Sequence, residues 1–176
     1  SIAAYKAASL ASMLKKQRAD VTVIMTANAA NFITPITFET LTGNKCMIDT
    51  FDRNFQFHVA HVSLAERASC LLIAPASAHV IAKLANGIAD DMLTTTALAV
   101  KTPVIVSPAM NVNMYHNPIV QDNLEKLKQY GKIVIPPDNG YLACGASGDG
   151  KMPSEEVLLD YILREIAKEK DLAGKK

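Results

Sequence analysis

Apolar residues follow two alternating rhythms along this chain. Between residues 2 and 18, Ile2, Tyr5, Leu10, Met13 and Leu14 recur at roughly helical spacing and the stretch ends in a basic turn, which predicts an amphipathic helix. Residues 21–25 then read as a buried strand. Three further apolar runs, 70–74, 104–107 and 133–135, are each bounded by proline. Runs of that length suit parallel strands covered on both faces. The intervening stretches 77–86, 91–99, 117–130 and 154–168 carry helical patterns, and a shorter helix is predicted over 62–68.

Regular alternation of strand and helix predicts an α/β fold, a doubly wound parallel sheet with helices on both faces, of flavodoxin-like or Rossmann-like type. Such a fold opens on a strand, whereas Ser1 stands almost at the first helix, so the first strand is expected to be missing from the chain as given. Residues 1–170 are expected to form one domain, with 171–176 a tail or the start of a linker.

Composition narrows the picture. A chain of 176 residues that is 49% hydrophobic can build one sizeable core. Its 18 basic and 17 acidic residues are interspersed and leave a net charge of +1, which argues against nucleic acid or an anionic membrane as partner and for a small molecule. No apolar run approaches the roughly 18 residues of a membrane span. Cys46, Cys70 and Cys144 show no paired spacing, so neither a disulfide framework nor a metal site is expected, and free thiols fit the cytoplasm.

In an open parallel sheet ligands bind beyond the carboxyl ends of the strands. The segments found there are Thr26, Ala27 and Asn28; Ser77, Ala78 and His79; the stretch from Pro108 to Tyr115; and the loop around Cys144. Small residues leave room for a flat ring, amides and hydroxyls bond its edge, and helix N-termini offer N–H groups to a phosphate. Within 108–115, Met110, Asn111 and Met114 suit either a pocket, with thioethers on a ring and an amide on a carboxylate, or a core position with Asn111 capping a helix. Gly140, Gly145, Gly148 and Gly150 surround Cys144, a nucleophilic side chain in a loop able to fold over a ligand. His61 precedes the short helix and can move protons at neutral pH, or serve as a surface or capping residue; His58 competes with it, and His79 and His116 have weaker cases. Asp90 and Asp91 after Gly87 read as helix capping.

Taken in order, Ser1-Ile-Ala-Ala-Tyr-Lys6, Phe32-Ile-Thr-Pro35, His61-Val-Ser-Leu-Ala65, Ala74-Pro-Ala-Ser-Ala78, Pro108-Ala-Met-Asn111 with Met114, and Leu142-Ala-Cys-Gly145 resemble the homo-oligomeric flavin-containing cysteine decarboxylases, in particular the members that act on phosphopantothenoylcysteine. The resemblance implies an FMN enzyme of coenzyme A biosynthesis that converts 4′-phosphopantothenoylcysteine to 4′-phosphopantetheine. The flavin would oxidise the thiol-bearing carbon, carbon dioxide would leave, and the resulting enethiol would be reduced again.

It also implies roles. His61 would be the active-site histidine, Asn111 would bind the substrate carboxylate and Met114 would shape that pocket. Tyr141, Leu142 and Ala143 would belong to a flap, with Cys144 as proton donor. FMN would be held by Ser1, Ile2, Thr26, Ala27, Asn28, Ser77, Ala78, His79, Val80 and Ala109. Two departures are plain: His79 and Val80 stand where the family usually has Asn and Thr, and Tyr115 where a tryptophan is common. A homotrimer or dodecamer is implied, as is fusion to a phosphopantothenate–cysteine ligase domain. Relatives that decarboxylate a peptide's C-terminal cysteine, that prenylate flavin, or that bind flavin without catalysis are the alternatives, and the Cys144 flap argues against the first two.

Overall fold

The computed structural model describes residues 1–50, 60–141 and 147–172. Helix α1 (Ala4–Lys16) is alanine-rich, which favours helix, and it ends with Lys15 and Lys16 against the negative end of its dipole. Its buried face is Ala4, Leu10 and Ala11, while Ile2 and Tyr5 are 56% and 61% exposed. Of the apolar residues that set the expected face, Leu10 is buried and Leu14 packs on the same cluster, while Ile2 and Tyr5 turn outward and Ala4 and Ala11 complete the inner face.

Residues 21–25 bring a correction. They carry no strand, only a parallel bridge from Ile24 to Met47, in which Met25 N–H donates to Met47 O at 2.8 Å and Met47 N–H to Val23 O at 2.9 Å. A run of apolar residues becomes a laddered strand only where a neighbour runs alongside it for several residues. Helix α2 (Pro35–Thr42), absent from the sequence reading, starts on a proline and stops at Gly43, whose φ of +74° is a left-handed cap.

The sheet is parallel, in the order β1 (Leu71–Ala76), β2 (Val104–Pro108), β3 (Ile133–Val134). Helix α3 (Ala60–Arg67) leads into β1, while α4 (Ala78–Asn86) and α5 (Met92–Ala99) connect it to β2. The short α6 (Val112–Tyr115) and α7 (Pro118–Gln129) connect β2 to β3. Successive side chains of β2 divide between two cores. Val104 and Val106 pack with Ile73, Ile81, Leu93 and Leu124 on the α4, α5 and α7 side; Ile105 packs with Leu10, Ile135 and Leu158 on the α1 and α8 side. Helices on both faces of a parallel sheet are what near-continuous apolar strands require.

Two elements end the described chain. Strands β4 (Asp138–Tyr141) and β5 (Ser147–Lys151) pair antiparallel, although this segment read as a loop. Helix α8 (Glu155–Leu172) continues past the expected end at 168 and across the expected boundary at 170.

The capping signals behave as the residue types demand. Asp91 Oδ1 accepts from Thr94 N–H at 2.8 Å and Lys83 Nζ lies 3.1 Å from Asp91 Oδ2. Burial opposes ionisation of Asp91, but the Thr94 amide and hydroxyl and the Lys83 ammonium outweigh it and hold the carboxyl below its usual range. Asp91→Ala is expected to cost about 1 kcal/mol in urea unfolding at pH 7. Because the folded pKa is depressed, this contribution is present above about pH 4, the unfolded value, and disappears as pH falls through the folded one. Wild type and variant should therefore converge in acid.

Candidate functional site

Strand order sets where ligands can meet this chain. Helix α3 packs against α5 and shares a core with Ile73 of β1; a helix that leads into a parallel strand runs antiparallel to it, which directs its first turn and His61 toward the carboxyl end of β1. His61 is thus the second residue of a helix rather than the residue before one. Its Nδ1 is buried and has no hydrogen-bond partner among the described residues. An unmet ring nitrogen costs about 1–3 kcal/mol, a cost explained where a ligand completes the bond.

At the end of β1, Ser77 caps α4: its Oγ accepts from Val80 N–H at 3.4 Å. Val80 is 7% exposed and belongs to the core, so its side chain faces away from any ligand, whereas His79 is exposed. At the end of β2, Ala109 N–H donates to Ala76 O at 3.0 Å. That bond seats the turn containing Ala109 against the Ser77 turn. Ala109 is buried and belongs, with Ala3 at the start of α1, to the cluster on the α1 and α8 side of the sheet. Helix α1 has no side-chain cap and no acidic residue in its first turn; the Ala4, Tyr5 and Lys6 N–H groups already donate to the Ser1, Ile2 and Ala3 carbonyls, so it is the positive end of the dipole at Ser1 and Ile2 that suits an anion. Thr26, Ala27 and Asn28 follow the extended 21–25 segment, and Thr26 Oγ1 accepts from Ala29 N–H at 3.2 Å.

Asn111 resolves an ambiguity in the sequence. Its Oδ1 accepts from Asn113 N–H at 2.9 Å, so it does cap α6. Capping and ligand binding are compatible, because the bond fixes which end of the amide is oxygen, and an amide NH2 group suits a carboxylate. Met110 packs against the core and Met114 is 48% exposed. Two methionines that look alike in sequence thus divide between packing and surface.

Among the described cysteines, Cys46 is buried, and burial together with the charge of Glu39 pushes its thiol up to about 11. A thiol so protonated is no nucleophile at neutral pH. Cys144, Leu142 and Ala143 lie outside the described residues, as does His58, and for Tyr141 only the backbone is described.

The sequence reading missed the residues that join the hairpin to the site. Met110 N–H donates to Gly150 O at 3.0 Å, and Lys6 Nζ donates to Met152 O at 3.2 Å, linking the end of the hairpin to α1. The glycine cluster was the one available signal, and it pointed at the loop rather than its base. No group of histidine, cysteine or carboxylate side chains able to hold a metal occurs among the described residues, and no described helix is long and apolar enough to cross a membrane.

Comparison with known proteins supports the family resemblance. A family model described as Flavoprotein matches residues 1–167. The coenzyme A biosynthesis bifunctional protein CoaBC of Bacillus subtilis (strain 168) is 45% identical over 168 residues; these are 96% of this chain and 41% of that protein, so the chain spans less than half of that relative's length. A probable phosphopantothenoylcysteine decarboxylase of Streptococcus mutans is 40% identical over 94% of both chains. Among solved structures, a cysteine-to-serine mutant of PPC decarboxylase complexed with pantothenoylaminoethenethiol superposes with a TM-score of 0.82 at 28% identity, covering 92% of this chain and 91% of that one. The FMN-dependent cysteine decarboxylase SpaF gives 0.81 at 30% identity, covering 95% and 92%.

Proposed function

The chain belongs to the flavoprotein family, and from that premise we propose that it decarboxylates 4′-phosphopantothenoylcysteine to 4′-phosphopantetheine in coenzyme A biosynthesis. The observation that carries this reading is the bond from Ala109 N–H to Ala76 O, which puts the Asn111 turn beside the Ser77 turn at the end of the sheet toward which His61 also lies.

The residues present fit FMN. The uncapped N-terminus of α1 with Ser1 and Ile2 would take the phosphate, and Thr26, Ala27, Asn28, Ser77, Ala78 and Ala109 offer small side chains and backbone groups to the rest. Val80, with its side chain in the core and its N–H engaged by Ser77, would add little, and His79 would contribute through backbone. When bound, FMN supplies the two-electron oxidation of the thiol-bearing carbon and returns those electrons after carbon dioxide has left.

The protein's own groups supply binding and proton movement. The amide of Asn111, oriented by its capping bond, holds the substrate carboxylate through its NH2 group. Met114 lines the pocket beside it. His61 accepts a proton from the substrate at the oxidative stage. Tyr141, Leu142 and Ala143 cover the substrate and exclude water from a reactive sulfur compound. Cys144 gives the proton that completes the reduction of the enethiol. We further propose a homotrimeric or dodecameric assembly in the cytoplasm, and attachment of this domain to a ligase domain that joins cysteine to phosphopantothenate, in keeping with the bifunctional relatives.

Purified protein given phosphopantothenoylcysteine is expected to release carbon dioxide and form phosphopantetheine by mass. Cys144→Ser is expected to release carbon dioxide still, but to accumulate the enethiol, two hydrogens lighter. Wild type that releases none overturns the enzyme reading and favours a non-catalytic flavin binder. A serine variant that forms phosphopantetheine at the wild-type rate overturns only the role of Cys144.

A further inference from the structure

Hairpin β4–β5 and the Asn111 turn are distant in sequence, yet they are fastened together in three ways. The first is backbone: Met110, which precedes Asn111, donates its N–H to Gly150 O at 3.0 Å. The second is close approach. A Cβ on Gly150 would stand 2.4 Å from Met110 O, and one on Gly148 would stand 2.9 Å from Val112 Cγ2, so β5 presents a bare backbone to the turn and to α6. The third is a side-chain bridge. Asp149, between those glycines, accepts from Asn139 Nδ2 on β4 at 3.1 Å through Oδ1, and its Oδ2 lies 3.2 Å from Nε2 of His116, the residue that closes α6. His116 in turn packs edge-on to Tyr115, with ring centroids 5.4 Å apart.

Each part is modest alone. Asp149 and His116 are 41% and 56% exposed at the side chain, where an ion pair or hydrogen bond contributes about 0.2–1 kcal/mol. The value of the bridge lies in direction. Glycines 148 and 150 let β5 approach the turn but do not determine how the hairpin is rotated on it. A carboxylate with one oxygen on the hairpin's other strand and the second on α6 determines that rotation.

We propose that Asp149, with His116 and Asn139, is a positioning residue for decarboxylation: it locks hairpin β4–β5 onto α6 and so holds the Asn111 amide in line with the substrate carboxylate. This rests on the reading of Asn111 as the carboxylate-binding group. Asp149 makes no contact with substrate in this assignment; it acts through the turn.

The test uses the intact flavin-loaded protein, with Asp149→Ala, His116→Ala and His116→Gln, the glutamine retaining an N–H donor for the carboxylate. Asp149→Ala and His116→Ala are expected to raise KM for phosphopantothenoylcysteine about two- to fivefold with kcat within twofold, while His116→Gln keeps the wild-type KM. Inhibition by phosphopantetheine, which has no carboxylate, should be unchanged. Hydrogen exchange at the Met110 amide should accelerate by a similar factor in the two alanine variants and not in His116→Gln. Unaltered Met110 exchange in the alanine variants overturns the lock. Faster exchange with unaltered KM overturns its role in positioning Asn111. A fall in kcat together with KM and melting temperature, with no rescue by glutamine, reduces the bridge to general stability and also overturns the proposal. Should the wild-type protein lack decarboxylase activity, the exchange arm still decides whether the lock exists.

Discussion

His61→Asn is expected to lower kcat for phosphopantothenoylcysteine by about 10²- to 10⁴-fold, the range lost when a positioned acid–base group is removed. The expectation follows from a buried Nδ1 without a partner among the described residues, on the first turn of a helix directed at the ligand-binding end of the sheet. Asparagine is the informative replacement. Its amide can occupy the space near Nδ1 and hydrogen-bond there, yet it cannot take a proton near neutral pH. Flavin binding should therefore survive, visible as retained absorbance in purified protein, while turnover collapses. His61→Asn with kcat within fivefold of wild type would remove His61 from the chemistry. Loss of flavin in the same variant would recast it as a cofactor ligand.

Gly150→Ala is expected to have the largest structural effect of any single methyl group added at a described glycine. With φ at +130° and the new Cβ 2.4 Å from a backbone oxygen, neither partner is a flexible side chain that can swing aside. The hairpin must lift from the Asn111 turn or the turn must move. Strain together with the weakened bond between Met110 and Gly150 should cost about 2–4 kcal/mol. For a domain of this size that is a fall of about 4–16 °C in melting temperature. Gly43→Ala is the matched control: φ is +74°, nothing lies within 4 Å, and the cost should stay at about 1–2 kcal/mol with KM unchanged. Equal effects of the two substitutions on melting temperature and on KM would mean that the close approach of β5 to the turn plays no part in building the site.

Much of this was legible in the residues. The strands at 71–76 and 104–108 and the helices that follow them announce themselves through apolar runs and helical periods, with Asp91 read as a cap; Ser77 and Asn117 also prove to be caps and Gly87 a stop. These signals are local: each depends on residues within a few positions of one another. The 21–25 run carried the same apolar signal but became a single bridge to Met47, since pairing depends on what lies alongside. Helix α2 escaped notice because its eight residues carry only two buried positions, Phe38 and Thr42, too few to make a period.

The candidate site divides along the same line. Its parts were readable as residue types: a histidine at a helix start, an asparagine between methionines, a cysteine among glycines. Whether Asn111 caps a helix could not be read, since an amide suits a cap and a pocket alike and only its partner atom shows the cap. Nor could the role of Gly150 and Asp149, whose partners Met110 and His116 lie on another element. The sequence by itself determined the periodic elements, their ends and the inventory of reactive groups, because short-range sterics and burial act within a few residues. Only the tertiary structure decided which strand ends touch and which backbone passes close enough to exclude a Cβ, because those contacts depend on how distant segments pack.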